Sequence, residues 1–303
     1  MSTHAFGRAL TASGHDVVGL VRSFDHPHRD LLHEELVDAS VKAPRLLGRA
    51  IEAVDTALGR RAHVLGDQGY PVWSTPYPEH AVPRLLRLFE PDVVVGNSID
   101  RVSWRRASAL ARRAGARTAL HLREANAVGH LTISNEVPDV LLANAQSLVD
   151  LAAESGYSAF LVPSVVEVER FSVSSSRRVA MLVNPEPDFG LDLVLRLAAA
   201  RPDVPFVLQE SRLLGRELEK LERRVESLPN VEVRRRRRPA EVYADVRVLL
   251  VPHQNDAHSN RPRVVLEAQH NGIPVVASDL AGLREAVGKG GLFVPPEASD
   301  ELW

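Results

Sequence analysis

Arg261-Pro262-Arg263-Val264-Val265-Leu266-Glu267-Ala268-Gln269-His270-Asn271-Gly272-Ile273-Pro274-Val275-Val276-Ala277-Ser278-Asp279 is the stretch that decides the fold. One acidic residue, Glu267, stands inside an otherwise apolar, Ala-containing helical run. Gly272 stops that helix, and residues 273–277 read as a short buried strand. A polar loop from Ser278 to Gly282 then leads into a second short helix carrying Glu285. Helix, tight turn, strand, loop, helix is the order of a parallel α/β sheet. It places Glu267 on a helix beside the carboxyl ends of parallel strands, where open α/β sheets bind ligands. Glutamate in an apolar helix is rarely buried without a partner. The partner is either a ligand's hydroxyl groups or a neighbouring arginine.

The same alternation runs outward through the chain. Strand-like runs fall at 16–21, 91–95, 116–121, 140–143 and 159–162, then at 179–183, 205–209, 231–234, 246–251, 273–277 and 292–294. Helical patterns separate them at 5–13, 44–58, 80–89, 103–114 and 145–155, then at 191–200, 213–227, 240–244, 262–270 and 281–286. Ser172-Val173-Ser174-Ser175-Ser176 breaks the periodicity and marks a linker. The expected organisation is a first domain over 1–165, a linker over 166–178 and a second domain over 179–303. Both are Rossmann-like parallel-sheet domains, facing a cleft.

At 303 residues, 45% hydrophobic and 25% charged, the composition is that of a globular chain long enough for two such domains. A formal net charge of −2 argues against a dedicated nucleic-acid binder. Without cysteine there is neither a disulfide framework nor a thiolate metal site. No run reaches transmembrane length and the start is not a signal peptide. The expectation is a cytoplasmic protein, which leaves peripheral membrane contact open. No nucleophile elbow, phosphate-binding P-loop or dinucleotide fingerprint is present. Asp25, His26, His28, Asp30 and His33 are spaced too loosely for a metal site.

The segment from Glu267 to Glu285 resembles the group 1 (family 4) retaining glycosyltransferases, which have the GT-B fold. Their signature is a Glu, seven residues and a second Glu, then a G-[IL]-P-V strand and a Gly-containing loop ending in Glu. Glu267 matches the second Glu, Gly272-Ile273-Pro274-Val275 the strand entry, and Gly282 and Glu285 the loop. Ser259 stands where the first Glu belongs. Weaker similarity covers Gly14-His15-Asp16-Val17, Pro91-Asp92-Val93-Val94-Val95, Leu141–Ser147 and Leu161–Phe171. Against the family pattern the chain is short at both ends, opening inside the region of the first strand and closing before the last helices.

The resemblance implies transfer of a sugar from a nucleotide-sugar donor to an unidentified acceptor, with no metal and no other cofactor. Glu267 would accept hydrogen bonds from the donor's ribose. Ser259, with His258 or Asp256, would take the sugar-contacting, catalytic position. Ser259 or Asn260 would cap the helix, with Pro262 in its first turn, leaving its N–H groups to the pyrophosphate. Asn260, Arg261 and Arg263 would add polar and charged contacts. Gly282, Glu285 and Gly190 complete the donor set. The family's Arg and Lys phosphate clamp is absent: Asn184 and Phe189 occupy those positions, and Glu186 and Asp188 add negative charge. One or two of Arg234 to Arg238 are candidates to replace it. On the acceptor side, Asn97, His121 and Arg123 follow strand ends. The alternative from another class is a non-catalytic glycosyltransferase-like protein that binds a nucleotide or a partner.

Overall fold

The computed structural model describes residues 2–22, 44–65, 69–97, 101–134, 137–210, 216–235, 238–255 and 261–303. Packing divides the chain into two units, Met1–Asn144 with Leu148–Val165, and Ala145–Ser147 with Val166–Trp303.

The first unit runs α1 (Ser2–Ala12), β1 (Gly19–Arg22), α2 (Pro44–Gly59), β2 (His63–Leu65), β3 (Val72–Thr75), α3 (Pro78–Phe89) and β4 (Val93–Asn97). It continues through α4 (Arg101–Arg113), β5 (Arg117–Leu122), α5 (Ala125–Ser134), β6 (Val140–Ala143), α6 (Gln146–Glu154) and β7 (Ala159–Leu161). Its strands form two pieces: β1-β3-β2, with only β2 antiparallel, and the parallel β4-β5-β6-β7. Trp104, Leu120, Leu122, Leu131, Leu141 and Leu148 fill the core beside the second piece. β4 begins at Val93 and not at 91, because Pro91 has no N–H to give a ladder. β2, β3 and α5 are absent from the sequence reading. β3 is four residues between Pro71 and Pro76, buried or nearly so on both faces, so it shows no alternation. α5 carries no clear apolar stripe and so no helical period.

The second unit holds β8 (Val179–Val183), α7 (Leu191–Ala200), β9 (Phe206–Gln209), α8 (Arg216–Val225), β10 (Val231–Arg234), α9 (Pro239–Val242) and β11 (Val246–Val251). After these come α10 (Arg263–His270), β12 (Val275–Ser278), α11 (Ala281–Val287) and β13 (Gly291–Val294). All six strands are parallel, in the order β10-β9-β8-β11-β12-β13. Successive side chains of a strand point to opposite faces. Val179 and Met181 therefore enter one core with Leu249, Val265 and Leu283, while Ala180 and Leu182 enter another with Leu193, Val194 and Leu208. A sheet covered on both faces needs continuous apolar strands, which is why these were legible as runs.

Two boundaries differ from expectation. The linker expected over 166–178 is not a free tether. Phe171 is buried in the core of the second unit, Ser172 Oγ lies 2.7 Å from His270 Nε2, and the Val173 N–H donates to Asn271 Oδ1 at 2.8 Å. The cap of α10 is Pro262 itself, in extended conformation with no side-chain cap bond, and not Ser259 or Asn260. At its other end the helix stops as the sequence predicts. The Gly272 N–H donates to Gln269 O and the Ile273 N–H to Ala268 O, with Gly272 at φ 63°. These are the two bonds of a Schellman stop, which requires a left-handed residue at that position.

Candidate functional site

The order of the second sheet reverses direction between β8 and β11, whose following loops flank the switch point where doubly wound sheets take their ligands. The loop after β8 turns at Asn184 (φ 57°), passes through a 3₁₀ turn at Pro187–Phe189, and enters α7 through Gly190 at φ 83°. The loop after β11 lies against it. The Gln254 N–H donates to Asp188 O at 3.1 Å, and the Phe189 and His253 rings meet edge to face at 4.8 Å. Gly190 presses on Pro252 so closely that a Cβ there would stand 2.2 Å from the Pro252 carbonyl oxygen.

Glu267 is 7% exposed on the inner face of α10, and its two carboxylate oxygens have different donors. The Arg263 Nη2 group reaches Oε1 at 2.9 Å, and the Tyr243 hydroxyl reaches Oε2 at 2.8 Å. Of the two partners the sequence allows, the arginine is present, with a tyrosine added. Arg263 also stacks over the Phe171 ring at 5.7 Å, so its fork is turned inward on the carboxylate. Burial pushes the Glu267 carboxyl above its ordinary value, against the opposing effects of Arg263 and Tyr243. Burial, then the neighbouring Glu267 charge, pushes the Tyr243 hydroxyl well up, so it remains a proton donor.

Around this centre, Gly282 is buried in the first turn of α11, and Glu285 one turn later accepts from the Gln146 N–H at 2.6 Å. Arg261 Nη1 lies 3.8 Å from Glu285 Oε1, and Arg261 itself takes a left-handed φ of 50°, uncommon for a residue with a side chain. Arg261 Nε is buried with no hydrogen-bond partner. His258, Ser259 and Asn260, with Asp256, lie outside the described residues, as do Asp25, His26, His28, Asp30 and His33. Of the basic run, Arg234 is consumed inside the unit. It forks onto Asp245 at 2.7 and 2.8 Å and meets Glu232 at 2.8 Å, while Arg235 pairs with Glu222 at 3.0 Å. Neither is a free phosphate cation; Arg236 and Arg237 lie outside the described residues.

In the first unit the three residues expected on the acceptor side come together. Asn97 and His121 are register partners on β4 and β5, and Arg123 Nη1 donates to Asn97 Oδ1 at 3.4 Å. His121 is buried with Nε2 3.1 Å from the Val162 carbonyl, which requires the proton on Nε2 and leaves Nδ1 as an acceptor with no partner. Burial first, then the Arg123 charge, lowers His121 to about 4. Its imidazole is therefore neutral at pH 7. Among the described residues no group of His, Asp and Glu is disposed to hold a metal ion, and no helix is long and apolar enough to cross a membrane.

Sequence reasoning missed Tyr243, Phe171 and a buried cluster in the first unit. There Asp55 takes the Arg106 Nη2 group at 2.5 Å and His80 Nδ1 at 2.7 Å. Only the tertiary structure joins these, since no local period links residues 24 to 92 positions apart.

Residues 188–303 match the family described as glycosyl transferases group 1. No curated protein matches the sequence. Among solved structures, Anabaena HepE in complex with UDP and glucose is similar at TM-score 0.65 and 15% identity, covering 94% of this chain and 87% of its own. The HepE complex with UDP-glucose matches equally well. TarM, known from S. aureus, gives 0.59 at 11% identity over 74% of this chain and 50% of its own. The pneumococcal O-GlcNAc transferase GtfA, in complex with UDP and GlcNAc, gives 0.52 at 12% identity, covering 79% and 54%. These likenesses establish the fold as GT-B. That family match lies within the second unit, from Asp188 to Trp303.

Proposed function

We propose that the protein is a glycosyltransferase that moves a sugar from a nucleotide-sugar donor to an acceptor hydroxyl, with retention of configuration and without a bound metal. The observation that carries this reading is Glu267. It is a buried carboxylate on the Gly-stopped helix before β12, inside the region matching the family. Two of its roughly four lone-pair directions are taken by Arg263 and Tyr243, which leaves acceptor capacity for ribose hydroxyls. Arg261, Arg263, Asn260, Gly282, Glu285 and Gly190 make up the rest of the donor set, Ser259 and His258 the sugar-contacting positions, and Asn97, His121 and Arg123 the acceptor side. The leaving diphosphate departs as the acceptor attacks from the same face, and fixed charge and N–H groups stabilise it. UDP-glucose is the first donor to try and UDP the first nucleotide, since HepE holds both.

Thermal shift against nucleoside diphosphates and nucleotide sugars, with EDTA present, tests this. A ligand at about 100 times its Kd stabilises by about 2.7 kcal/mol. One nucleotide should raise Tm in the native chain and not in Glu267→Ala, and the matching nucleotide sugar should release its diphosphate in the presence of a sugar acceptor. No shift with any nucleotide in a folded sample refutes the donor site and favours the partner-binding alternative.

A further inference from the structure

We infer that Tyr243 is a positioning residue for donor binding, its hydroxyl fixing the plane of the Glu267 carboxylate so that the free lone pairs meet the ribose. The inference rests on the donor reading above and adds a residue to it. Glu267 has a donor on each oxygen, Tyr243 on Oε2 at 2.8 Å and Arg263 on Oε1 at 2.9 Å. Rotating the carboxylate about its last bond breaks both contacts at once, so the pair holds it in one plane. Tyr243 is itself immobilised. It is 1% exposed, its ring meets Phe171 edge to face at 6.4 Å, and the other oxygen near its hydroxyl is Val264 O at 3.5 Å, at the limit of a hydrogen bond. Phe171 also carries the Arg263 guanidinium on its face. Phe171 and Tyr243 thus come from separate parts of the unit to the helix turn that carries Arg263 and Glu267. A core that needed only volume at position 243 would be served by phenylalanine. A buried hydroxyl aimed at a buried carboxylate is a device for orienting charge.

Full-length Tyr243→Phe is compared with the native chain by isothermal titration of UDP and 2′,3′-dideoxy-UDP across pH. If Tyr243 positions Glu267, the native preference for UDP over the dideoxy analogue falls about tenfold in the variant. The hydrogen bond it removes favours the charged carboxylate, so Glu267 holds its proton to higher pH. The pH at which UDP binding is half lost on acidification therefore moves up. A tyrosine that only fills the core and satisfies the Glu267 oxygen lowers stability and shifts the midpoint but leaves the preference for UDP over the dideoxy analogue intact; an unchanged preference, with UDP still bound, overturns the inference. Should Tyr243→Phe fail to fold, 3-fluorotyrosine placed at 243 keeps the shape and strengthens the donor. The midpoint must then move down, and a fixed midpoint overturns the inference. If the native chain binds UDP with no preference over the dideoxy analogue, the inference also falls. If it binds no nucleoside diphosphate at all, the donor reading falls first and takes this inference with it.

Discussion

Gly190 and Gly272 both sit at positive φ in the second unit, 83° and 63°, but in different surroundings. A Cβ at Gly272 would meet only the end of the flexible Arg177 side chain, at 3.3 Å. A Cβ at Gly190 would stand 2.2 Å from Pro252 O and 2.5 Å from Pro252 Cγ, in the tightest part of the switch point. Alanine in the left-handed region costs about 1–2 kcal/mol at either site. At Gly190 the methyl must also push two packed loops apart, and overpacking of that kind adds about 1–3 kcal/mol. Gly272→Ala should therefore lose about 1–2 kcal/mol and Gly190→Ala about 2–5 kcal/mol. Native-state hydrogen exchange of β8 and β11 in increasing urea reads the stability of this unit separately from the other. Gly190→Ala should also weaken nucleotide-dependent stabilisation, because the Asn184–Gly190 loop cannot shift without disturbing the mouth between β8 and β11. Equal losses in the two variants refute the reasoning, since they mean that the Pro252 contact relaxes without cost.

His121, lowered from 6.5 to about 4, remains neutral in the folded chain while an unfolded histidine protonates, so the unfolded state binds more protons between these values. Stability falls as pH drops through that window, by about 3 kcal/mol in all. His121→Gln should flatten the slope between pH 6.5 and 4 in urea titrations of the first unit; an unaltered slope assigns it to other groups. Asp245 is held below its ordinary value first by the hydrogen bond from Arg234, so its contribution is present above pH 3.8 and lost as pH falls through the lowered value. Arg234→Met should cost about 3 kcal/mol at pH 7 and progressively less toward pH 3, and a loss independent of pH excludes the pair as its source. In the first unit, Arg106→Ala strips the arginine from Asp55, a residue whose side chain is 12% exposed, and should cost about 3–5 kcal/mol by hydrogen exchange in β5. A loss under about 1 kcal/mol would show that His80 alone holds Asp55.

The second unit was legible almost residue by residue. Strands 179–183, 231–234 and 246–251 and the helix at 191–200 coincide with the structure: 179–183 is an unbroken apolar run because the sheet is covered on both faces, while the edge strand 231–234 alternates Val, Glu, Val, Arg. Gly272 announced its own left-handed turn. The first unit was less legible where elements are short: β3 lies between two prolines and has no polar face, and α5 has no stripe. At the site, Glu267 and an arginine partner were readable, but Arg263 was expected on the pyrophosphate, and its four-residue spacing instead brings it onto Glu267. Tyr243 was not readable, because nothing local links the end of α9 to the second turn of α10. The cap failed for a different reason. Pro262 fits the first turn of a helix, but its own fixed φ and extended ψ serve equally at the cap, and here they do.

Glu267 is also where stability and function can be separated. Burial raises its carboxyl, so the folded chain holds that proton more tightly than the unfolded one. At neutral pH the charged Glu267 thus opposes folding, and Arg263 and Tyr243 offset the burial without cancelling it. In Glu267→Gln the amide oxygen accepts from Arg263 and the amide N–H donates to the Tyr243 oxygen, whose own proton turns to Val264 O at 3.5 Å. Arg263, 15% exposed, can carry its charge toward water on its own stem. The variant should unfold within about 1 kcal/mol of the native chain at pH 7, or be more stable. Any advantage should fade as pH falls through the raised value, where the native carboxyl is itself neutral. Nucleotide-dependent stabilisation should be lost in the same variant. If the carboxylate were instead a structural half of a buried ion pair, removing its charge would cost about 3–5 kcal/mol at pH 7. The two readings differ by more than the error of a urea titration, so one stability curve and one nucleotide shift on this variant decide whether Glu267 serves the fold or a ligand.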